Sequence, residues 1–179
     1  FCPVPEAAVP TMELLDIVEA AHPDLAEAIR PAVLQRVREV EVEAAARSSL
    51  FPYVRPMLAA CRTFGLQTGI ITRNCPEAIT RVFPDIAEHF PCIVTRDDVP
   101  RVKPDPEHLL AALEQLGVSP EETLMIGDHP MDIVVGQRAG TFTAGLATGE
   151  ASLEELRSRT PDYCEASGEA LMRRLGIFS

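Results

Sequence analysis

A predicted strand passes directly into a predicted helix in the segment Thr123-Leu124-Met125-Ile126-Gly127-Asp128-His129-Pro130-Met131-Asp132. Its first four residues are mostly apolar and predict a buried strand, and Asp132 begins a predicted helix over residues 132–138. Gly127 lets the chain turn sharply between the two without a side-chain clash. We therefore expect the carboxylates of Asp128 and Asp132, four residues apart, on one side of this turn.

Strands and helices alternate on both sides of this stretch. Strands are predicted over residues 66–72, 92–95, 123–126 and 141–146 and near Tyr163, with helices over 53–64, 76–82, 106–116, 132–138 and 152–159 and a last one through Leu175. This alternation indicates an α/β fold, a doubly wound parallel (Rossmann-like) sheet covered on both faces. Two further helices, before Pro23 and from Asp24 to Val40, are too short for a core of their own. The predicted organisation is an entry segment and small two-helix cap over residues 1–49 and an α/β core over 50–179.

Polar side chains stand where two of the strands end. The triplet Thr72-Arg73-Asn74 ends an apolar run, and Asp128 lies just past the strand over residues 123–126. Because ligands of open α/β sheets bind beyond the carboxyl ends of the strands, these side chains are expected at one rim of the sheet. Lys103, in Val102-Lys103-Pro104, adds an ammonium, so the set can hold a phosphoryl group beside a divalent cation. Carboxylate oxygens suit Mg²⁺, which takes only one or two protein carboxylates and keeps several waters.

Each of these residues also has an ordinary structural interpretation. Asp132 could be a helix N-cap stabilised by the helix dipole, and Thr72 a cap as well. Arg73 could lie on the surface, and Lys103 in a solvated loop. The order of the residues and their placement at strand ends together favour the phosphate and metal site.

Composition and charge exclude several classes of function. A net charge of −11 argues against a general nucleic-acid binder, which needs basic stripes. No stretch approaches the roughly 20 apolar residues of a membrane span, and no signal peptide is visible. The five cysteines are odd in number and scattered, which is typical of reduced thiols: Cys2, Cys61, Cys75, Cys92 and Cys164. A cytoplasmic location is therefore expected.

The sequence resembles the haloacid dehalogenase superfamily of phosphohydrolases, in particular its small-capped members similar to phosphoglycolate phosphatases. The resemblance spans about residue 50 to the end and is carried by Gly69-Ile70-Ile71-Thr72-Arg73-Asn74, Arg101-Val102-Lys103-Pro104-Asp105-Pro106 and Met125-Ile126-Gly127-Asp128-His129-Pro130-Met131-Asp132-Ile133. The helical hairpin stands where this family inserts its cap.

The resemblance implies a role for each matching residue. Thr72 would bond a phosphate oxygen, and Lys103 would neutralise charge on the phosphoryl group and on the nucleophile. Asp128 would bind Mg²⁺ directly, with Asp132 fixing the surroundings of the metal. Arg73 and Asn74 would contact a small phosphorylated substrate, and the cap helices would set selectivity.

One motif of the family is missing before Thr72. The family takes its nucleophile and general acid from an Asp-x-Asp-Gly motif at the end of a central strand, and no Asp-x-Asp pair precedes Thr72. A sheet without that strand would leave two rows of unpaired backbone groups, each costing roughly 1–3 kcal/mol. We therefore expect an upstream strand in the native protein. The alternative is a non-catalytic relative, a binding or regulatory module that keeps the phosphate and metal pocket.

Overall fold

The computed structural model describes residues 11–178, in which nine α-helices, a 3₁₀ turn and five strands follow one another. The helices are α1 Thr11–Ala21, α2 Pro23–Ala45, α3 Val54–Thr63, α4 Pro76–Val82, α5 Ile86–His89, α6 Glu107–Leu116, α7 Pro130–Ala139, α8 Leu153–Arg157 and α9 Gly168–Arg174. The strands are β1 Gly69–Ile71, β2 Cys92–Val94, β3 Leu124–Gly127, β4 Phe142–Leu146 and β5 Tyr163–Glu165, and the 3₁₀ turn is Pro120–Glu122. Apart from α5, every helix and strand was predicted from the sequence.

All strand pairs are parallel, but they form two sheets rather than the one expected. β1 pairs with β2, with Ile70 opposite Ile93, and the second sheet has the order β3-β4-β5. Within residues 11–178, β1 and β3 each pair on one edge only. The upstream strand expected from the sequence stays a prediction.

Helices cover both faces of the three-stranded sheet, as predicted for a doubly wound fold. Ala144 and Leu146 of β4 pack against Leu171 and Met172 of α9. On the opposite face of the sheet, Gly145 lies against Ile133 of α7 and Leu156 of α8. Alternate residues of one strand thus contact helices on opposite sides. The α/β fold class predicted from the sequence is confirmed.

Helix α6 contacts both sheets. Its Ala112 packs with Cys92 and Val94 of β2. Its Leu109 and Leu113 pack with Met125 of β3 and Val135 of α7. The helix ends at Gly117, whose φ of +66° is the left-handed conformation that glycine adopts without strain. The loop that leads into α6 carries Lys103, so this helix fixes the position of that loop relative to both sheets.

The chain divides into two compact units, which differ from the predicted boundary at one place. Of the described residues, 11–49 and 76–84 form one unit, which is mostly helical, and 50–75 and 85–178 form the other. In the helical unit, ion pairs join Arg30 to Glu19 and Arg38 to Glu77. The assignment of residues 1–49 as an entry segment and helical cap stays a prediction, and residues 1–10 of the entry segment lie outside the described residues. None of the helices within residues 11–178 combines the length and apolarity needed to cross a bilayer.

Candidate active site

The centre of the site is an ion pair between Lys103 and Asp132. Lys103 Nζ lies 2.7 Å from Asp132 Oδ1, and the two side chains are only 13% and 6% exposed. The pair joins the loop before α6 to the first turn of α7, although the residues are 29 positions apart. The predicted convergence of these two side chains is therefore present in the fold.

Asp132 also stabilises the first turn of α7, but as the third helical residue and not as the N-cap that the sequence allowed, because the N-cap is His129. Its Oδ2 accepts a hydrogen bond from the backbone N–H of His129 at 3.1 Å, and the N-cap residue His129 accepts at Nδ1 from the N–H of Met131 at 3.1 Å. This reciprocal arrangement is a capping box, with Pro130 in the first turn, where its missing N–H costs nothing. Both carboxylate oxygens of Asp132 therefore have partners, one of them the ammonium of Lys103.

Gly127 is required by close packing. A Cβ atom at Gly127 would overlap the carboxylate of Asp132, and the φ of Gly127 is not positive. The side chain with which any residue other than glycine would clash at this turn is therefore Asp132. Any larger residue at position 127 would displace the acid that pairs with Lys103.

Asp128 is the second acid of the site and lies at its open side. More than a third of the residue is accessible, but the carboxyl group is partly desolvated by the protein around it. This desolvation raises the pKa of the Asp128 carboxyl group, and the negative charge of Asp132 raises it further. Lys103 and His129 act in the opposite direction but more weakly. A Cβ atom at Gly149 would overlap the Asp128 carboxylate, so the loop after β4 closes tightly over it. The charged form of Asp128 would gain from a cation.

The donors at this place fit Mg²⁺. No group of three or more His, Cys, Asp or Glu side chains in the described part of the chain could form a complete protein cage for a metal. Mg²⁺ does not need one, because it binds one or two carboxylates and retains water. Asp128 makes no ion pair within residues 11–178, whereas both oxygens of Asp132 are already bonded. Asp128 is thus the carboxylate best placed to bind the ion directly.

The predicted Thr72-Arg73-Asn74 segment approaches the first turn of α7 through Arg73. Arg73 Nη1 lies 3.3 Å from the Met131 sulfur, and the Arg73 carbonyl accepts from Arg96 Nη1 at 3.1 Å. Thr72 Oγ1 accepts from the N–H of Asn74 at 3.1 Å, which is a local turn. Among the described residues, no hydrogen bond joins the side chain of Thr72 or Asn74 to Lys103 or to the acids. The backbone N–H of Thr72 bonds the Val94 oxygen of β2 at 2.9 Å. Arg73 is the residue of the triplet whose side chain reaches α7.

Two residues near the site were missed in the sequence analysis. Arg96, two residues after the end of β2, has a side chain only 7% exposed and donates a hydrogen bond to the Arg73 carbonyl. The rule that polar residues at strand ends form the site could have identified it. His108 is fully buried beneath the Lys103 loop. A further signal was overlooked: Lys103 is the only lysine among the 179 residues, while the other 15 basic residues are arginines (16 Lys+Arg in total).

Comparisons with known proteins agree on one family. A family model described as a hydrolase, haloacid dehalogenase-like hydrolase, matches residues 6–140. Pyrophosphatase PpaX of Anoxybacillus flavithermus is 37% identical over 117 residues, 64% of this chain and 54% of that protein. Phosphoglycolate phosphatase of Salmonella paratyphi A is 34% identical over 130 residues, 72% of this chain and 52% of that protein. The chain thus spans about half the length of the curated relatives it matches.

Solved structures give the same result for the fold. A HAD phosphatase from Thermococcus onnurineus is 26% identical with a TM-score of 0.61, and the match covers 71% of this chain and 58% of that one. A hydrolase from Pseudomonas syringae is 28% identical with a TM-score of 0.65, covering 70% of this chain and 59% of that one. The resemblance stated from the sequence motifs is confirmed.

Proposed function

This chain belongs to the haloacid dehalogenase-like hydrolase family, and from that membership we propose that it is part of a Mg²⁺-dependent phosphomonoester hydrolase for a small phosphorylated metabolite. The observation that carries the proposal is the buried pair of Lys103 and Asp132, 2.7 Å apart, with Asp128 beside it. Although the net charge of the chain is −11, a second cation lies near this pair, since Arg73 Nη1 is 3.3 Å from the sulfur of Met131, the neighbour of Asp132. Such a local concentration of cations favours an anionic ligand.

The side chains of the site have distinct roles in this proposal. The Lys103 ammonium neutralises charge that develops on the phosphoryl oxygens and on the attacking group. The Thr72 hydroxyl donates a hydrogen bond to a phosphate oxygen, and Arg73 and Asn74 contact the substrate. Phosphoryl transfer depends mainly on positioning and electrostatic stabilisation, so fixed donors at these places account for most of the expected rate.

Asp128 and Asp132 are the residues that would hold the Mg²⁺ ion. When bound, the ion supplies positive charge to the phosphoryl oxygens. Asp128 binds it directly, and Asp132 orients the surroundings while it holds Lys103. The raised pKa of the Asp128 carboxyl group makes proton and metal compete for one site, so metal affinity falls as the pH falls.

The nucleophile in this proposal is a carboxylate carried by a strand upstream of these 179 residues. That strand pairs with the single-paired edges of β1 and β3. The carboxylate oxygen attacks phosphorus and the ester bond breaks, and the leaving oxygen takes a proton from the second carboxyl group of the same Asp-x-Asp-Gly motif, which regains a proton from the attacking water in the next step. Water then attacks the phosphorus of the aspartyl-phosphate, which releases inorganic phosphate and restores the carboxylate.

The assay measures phosphate release by the full-length protein. The substrates are p-nitrophenyl phosphate, 2-phosphoglycolate and pyrophosphate, the last two because relatives carry the names phosphoglycolate phosphatase and pyrophosphatase. We expect turnover of a monoester with Mg²⁺ and none with EDTA. Hydrolysis of pyrophosphate alone would contradict the monoester assignment.

Two site variants and a surface control test the assigned roles. We expect Lys103→Met and Asp128→Asn to lower kcat/KM by about a hundredfold or more, the scale of losing one electrostatic contact to the transferring group. Arg173→Met, which removes an exposed pair on α9, leaves turnover unchanged. Saturable Mg²⁺ or phosphate binding by calorimetry without hydrolysis of any substrate would instead support the non-catalytic binding module.

We also propose a cytoplasmic location. Cys61 and Cys92 are buried thiols whose pKa values are raised by burial, so both stay protonated and unreactive. This use of cysteine as a small apolar residue suits a reducing compartment. Recovery of the protein in the periplasmic or secreted fraction of its host would contradict the proposal.

A further inference from the structure

A buried imidazole lies directly beneath the loop that carries Lys103. His108, in the first turn of α6, is 0% exposed. Its Nδ1 lies 3.2 Å from the backbone nitrogen of Lys103, and its Nε2 lies 3.1 Å from the carbonyl oxygen of Val94 at the end of β2. Both ring nitrogens therefore contact backbone groups of the elements that border the site.

The two partners determine the protonation state of the ring. A backbone carbonyl can only accept and a backbone N–H can only donate, so the ring donates from Nε2 and accepts at Nδ1. This is the neutral Nε2–H tautomer. Burial lowers the pKa of His108, and the nearby charges of Lys103 and Arg73 lower it further. The bond to Val94 and the charge of Asp98 act in the opposite direction.

The ring connects two predicted parts of the site through one carbonyl. The Val94 oxygen also accepts the backbone N–H of Thr72 at 2.9 Å. A hydrogen-bonded path thus runs from Thr72 through Val94 and His108 to the backbone of Lys103. The Lys103 ammonium continues it to Asp132 at 2.7 Å.

We propose that His108 is a positioning residue, which fixes the backbone of Lys103 to the end of β2 and so sets where the ammonium meets a phosphoryl group. The effect on catalysis rests on the proposed function, whereas the geometry does not. The lysine side chain is long and has many rotamers, so the position of its backbone decides which of them can reach the pocket. A shift of about 1 Å in a charge-bearing group can cost as much as a hundredfold in rate.

Two substitutions separate the hydrogen bonds from the volume of the ring. His108→Phe keeps a planar ring but has neither donor nor acceptor. His108→Gln keeps one donor and one acceptor on a neutral group. For inorganic phosphate binding measured by calorimetry, we expect His108→Phe to raise the Kd about tenfold and His108→Gln to restore most of the affinity. Leu110→Ala, a change at a 44% exposed position of the same helix, is the control and leaves the Kd unchanged.

A double-mutant cycle distinguishes positioning from general damage. If His108 acts through Lys103, His108→Phe has no further effect on phosphate affinity once Lys103→Met is present. If the two losses add, His108 acts independently of the lysine and the inference is wrong.

Nuclear magnetic resonance tests the two hydrogen bonds of His108, to the Lys103 backbone and to Val94, without any ligand. We expect the ¹⁵N signals of His108 at pH 7 to report a proton on Nε2 and none on Nδ1. The Lys103 amide should exchange slowly with solvent in the wild type and rapidly in His108→Phe. An Nδ1–H or doubly protonated ring, or an unchanged Lys103 exchange rate, would overturn the inference.

The outcomes separate this inference from the proposed function. If the wild-type protein binds no phosphate but shows the expected tautomer and amide protection, the proposed pocket is wrong. The hydrogen bonds by which His108 fixes the Lys103 backbone are then still supported. Phosphate binding that His108→Phe does not weaken contradicts the positioning role and leaves the pocket standing.

Discussion

The Lys103–Asp132 pair should also contribute to stability, because both side chains are nearly buried. Lys103→Met keeps the length of the side chain but leaves the Asp132 carboxylate without its ammonium. Breaking a buried pair in this way costs several kcal/mol, and we expect the free energy of unfolding to fall by about 2–4 kcal/mol. Urea denaturation followed by circular dichroism measures the change.

An exposed pair on the same chain provides the matched control. Arg173 and Glu169 lie 2.7 Å apart, the same distance, but their side chains are 57% and 45% exposed. Because water screens this pair, Arg173→Met should change the unfolding free energy by no more than about 0.5 kcal/mol. Equal losses in the two variants would mean that burial does not strengthen the site pair.

Protonation of His108 predicts how stability depends on pH. The pKa of His108 is lowered from 6.5 in the folded state, so below that pH the unfolded chain binds a proton that the native ring refuses. The folded state is therefore fully stable above pH 6.5 with respect to this group and loses stability as the pH falls below it. Thermal melting from pH 7.5 to 5 should show a smaller decline for His108→Gln. An identical decline in both proteins would show that other groups dominate.

At the level of single residues, the candidate site residues were chosen from their positions at strand ends and from their order along the chain. Thr72 and Asp128 were proposed as site residues because the carboxyl ends of parallel strands meet at one edge. Lys103 and Asp132 were proposed from the order of the segments and the four-residue spacing of the two acids. The partners of each side chain were not predictable, since the bond between Lys103 and Asp132 exists only after α6 and α7 pack together. His108 was missed for the same reason, because a histidine in a helix carries no sign of what lies beneath it.

At the level of elements, Gly136 shows how packing outweighs helix propensity. Gly136→Ala in α7 would gain about 0.5–1 kcal/mol from propensity. A Cβ atom there, however, would lie 2.6 Å from Thr143 Cγ2 of β4. Overpacking of this kind costs about 1–3 kcal/mol, so we expect a net loss of stability.

The colliding methyl group offers a direct test. Thr143→Ser removes Cγ2 and keeps the hydroxyl that contacts Asp162 at 3.0 Å. Gly136→Ala should therefore cost less in the Thr143→Ser background than in the wild type, as measured by thermal unfolding. The same cost in both backgrounds would place the strain elsewhere, for example at Met125 Cβ, 3.0 Å away.

The elements themselves were largely predictable, and the exceptions have physical reasons. Helix α4 runs over Pro76–Val82, as the sequence indicated, because proline marks its start and an apolar side follows. Helix α5, Ile86–His89, was missed because four residues are too few for a helical period. Its first turn is held by Arg55, which binds both oxygens of Asp85 and lowers the pKa of that carboxyl group. That contact crosses 30 positions and leaves no local trace.

At the level of the whole molecule, β1 and β3 each have one edge that pairs with no described strand. Amide exchange on these two edges should differ between a chain with and a chain without an upstream strand. The N–H of Thr72 bonds β2, so the N–H of Ile71 points away from β2. In β3, Thr123 faces β4, so Leu124 and Ile126 point to the other edge, and Ile126 is 37% exposed. We expect these three amides to exchange rapidly with solvent in the 179-residue chain.

The same amides should become protected in a longer protein that supplies the proposed strand. Hydrogen exchange of Ile71 and Ile126, compared with Met125, whose amide faces β4, measures the change. Slow exchange of both in the 179-residue chain would show that the edges are already covered. Fast exchange in the longer protein would contradict a strand between β1 and β3.

The presence of a single lysine has a practical consequence. An acylating reagent that targets primary amines finds one side-chain target in these 179 residues, and that target is Lys103. Coupling to an amine-reactive resin or dye would therefore modify either the terminal amine or Lys103 of the proposed phosphate pocket. If phosphate binds beside Lys103, saturating phosphate should slow acylation of this side chain. The rate of labelling of Lys103 would then measure how much of the proposed pocket is occupied.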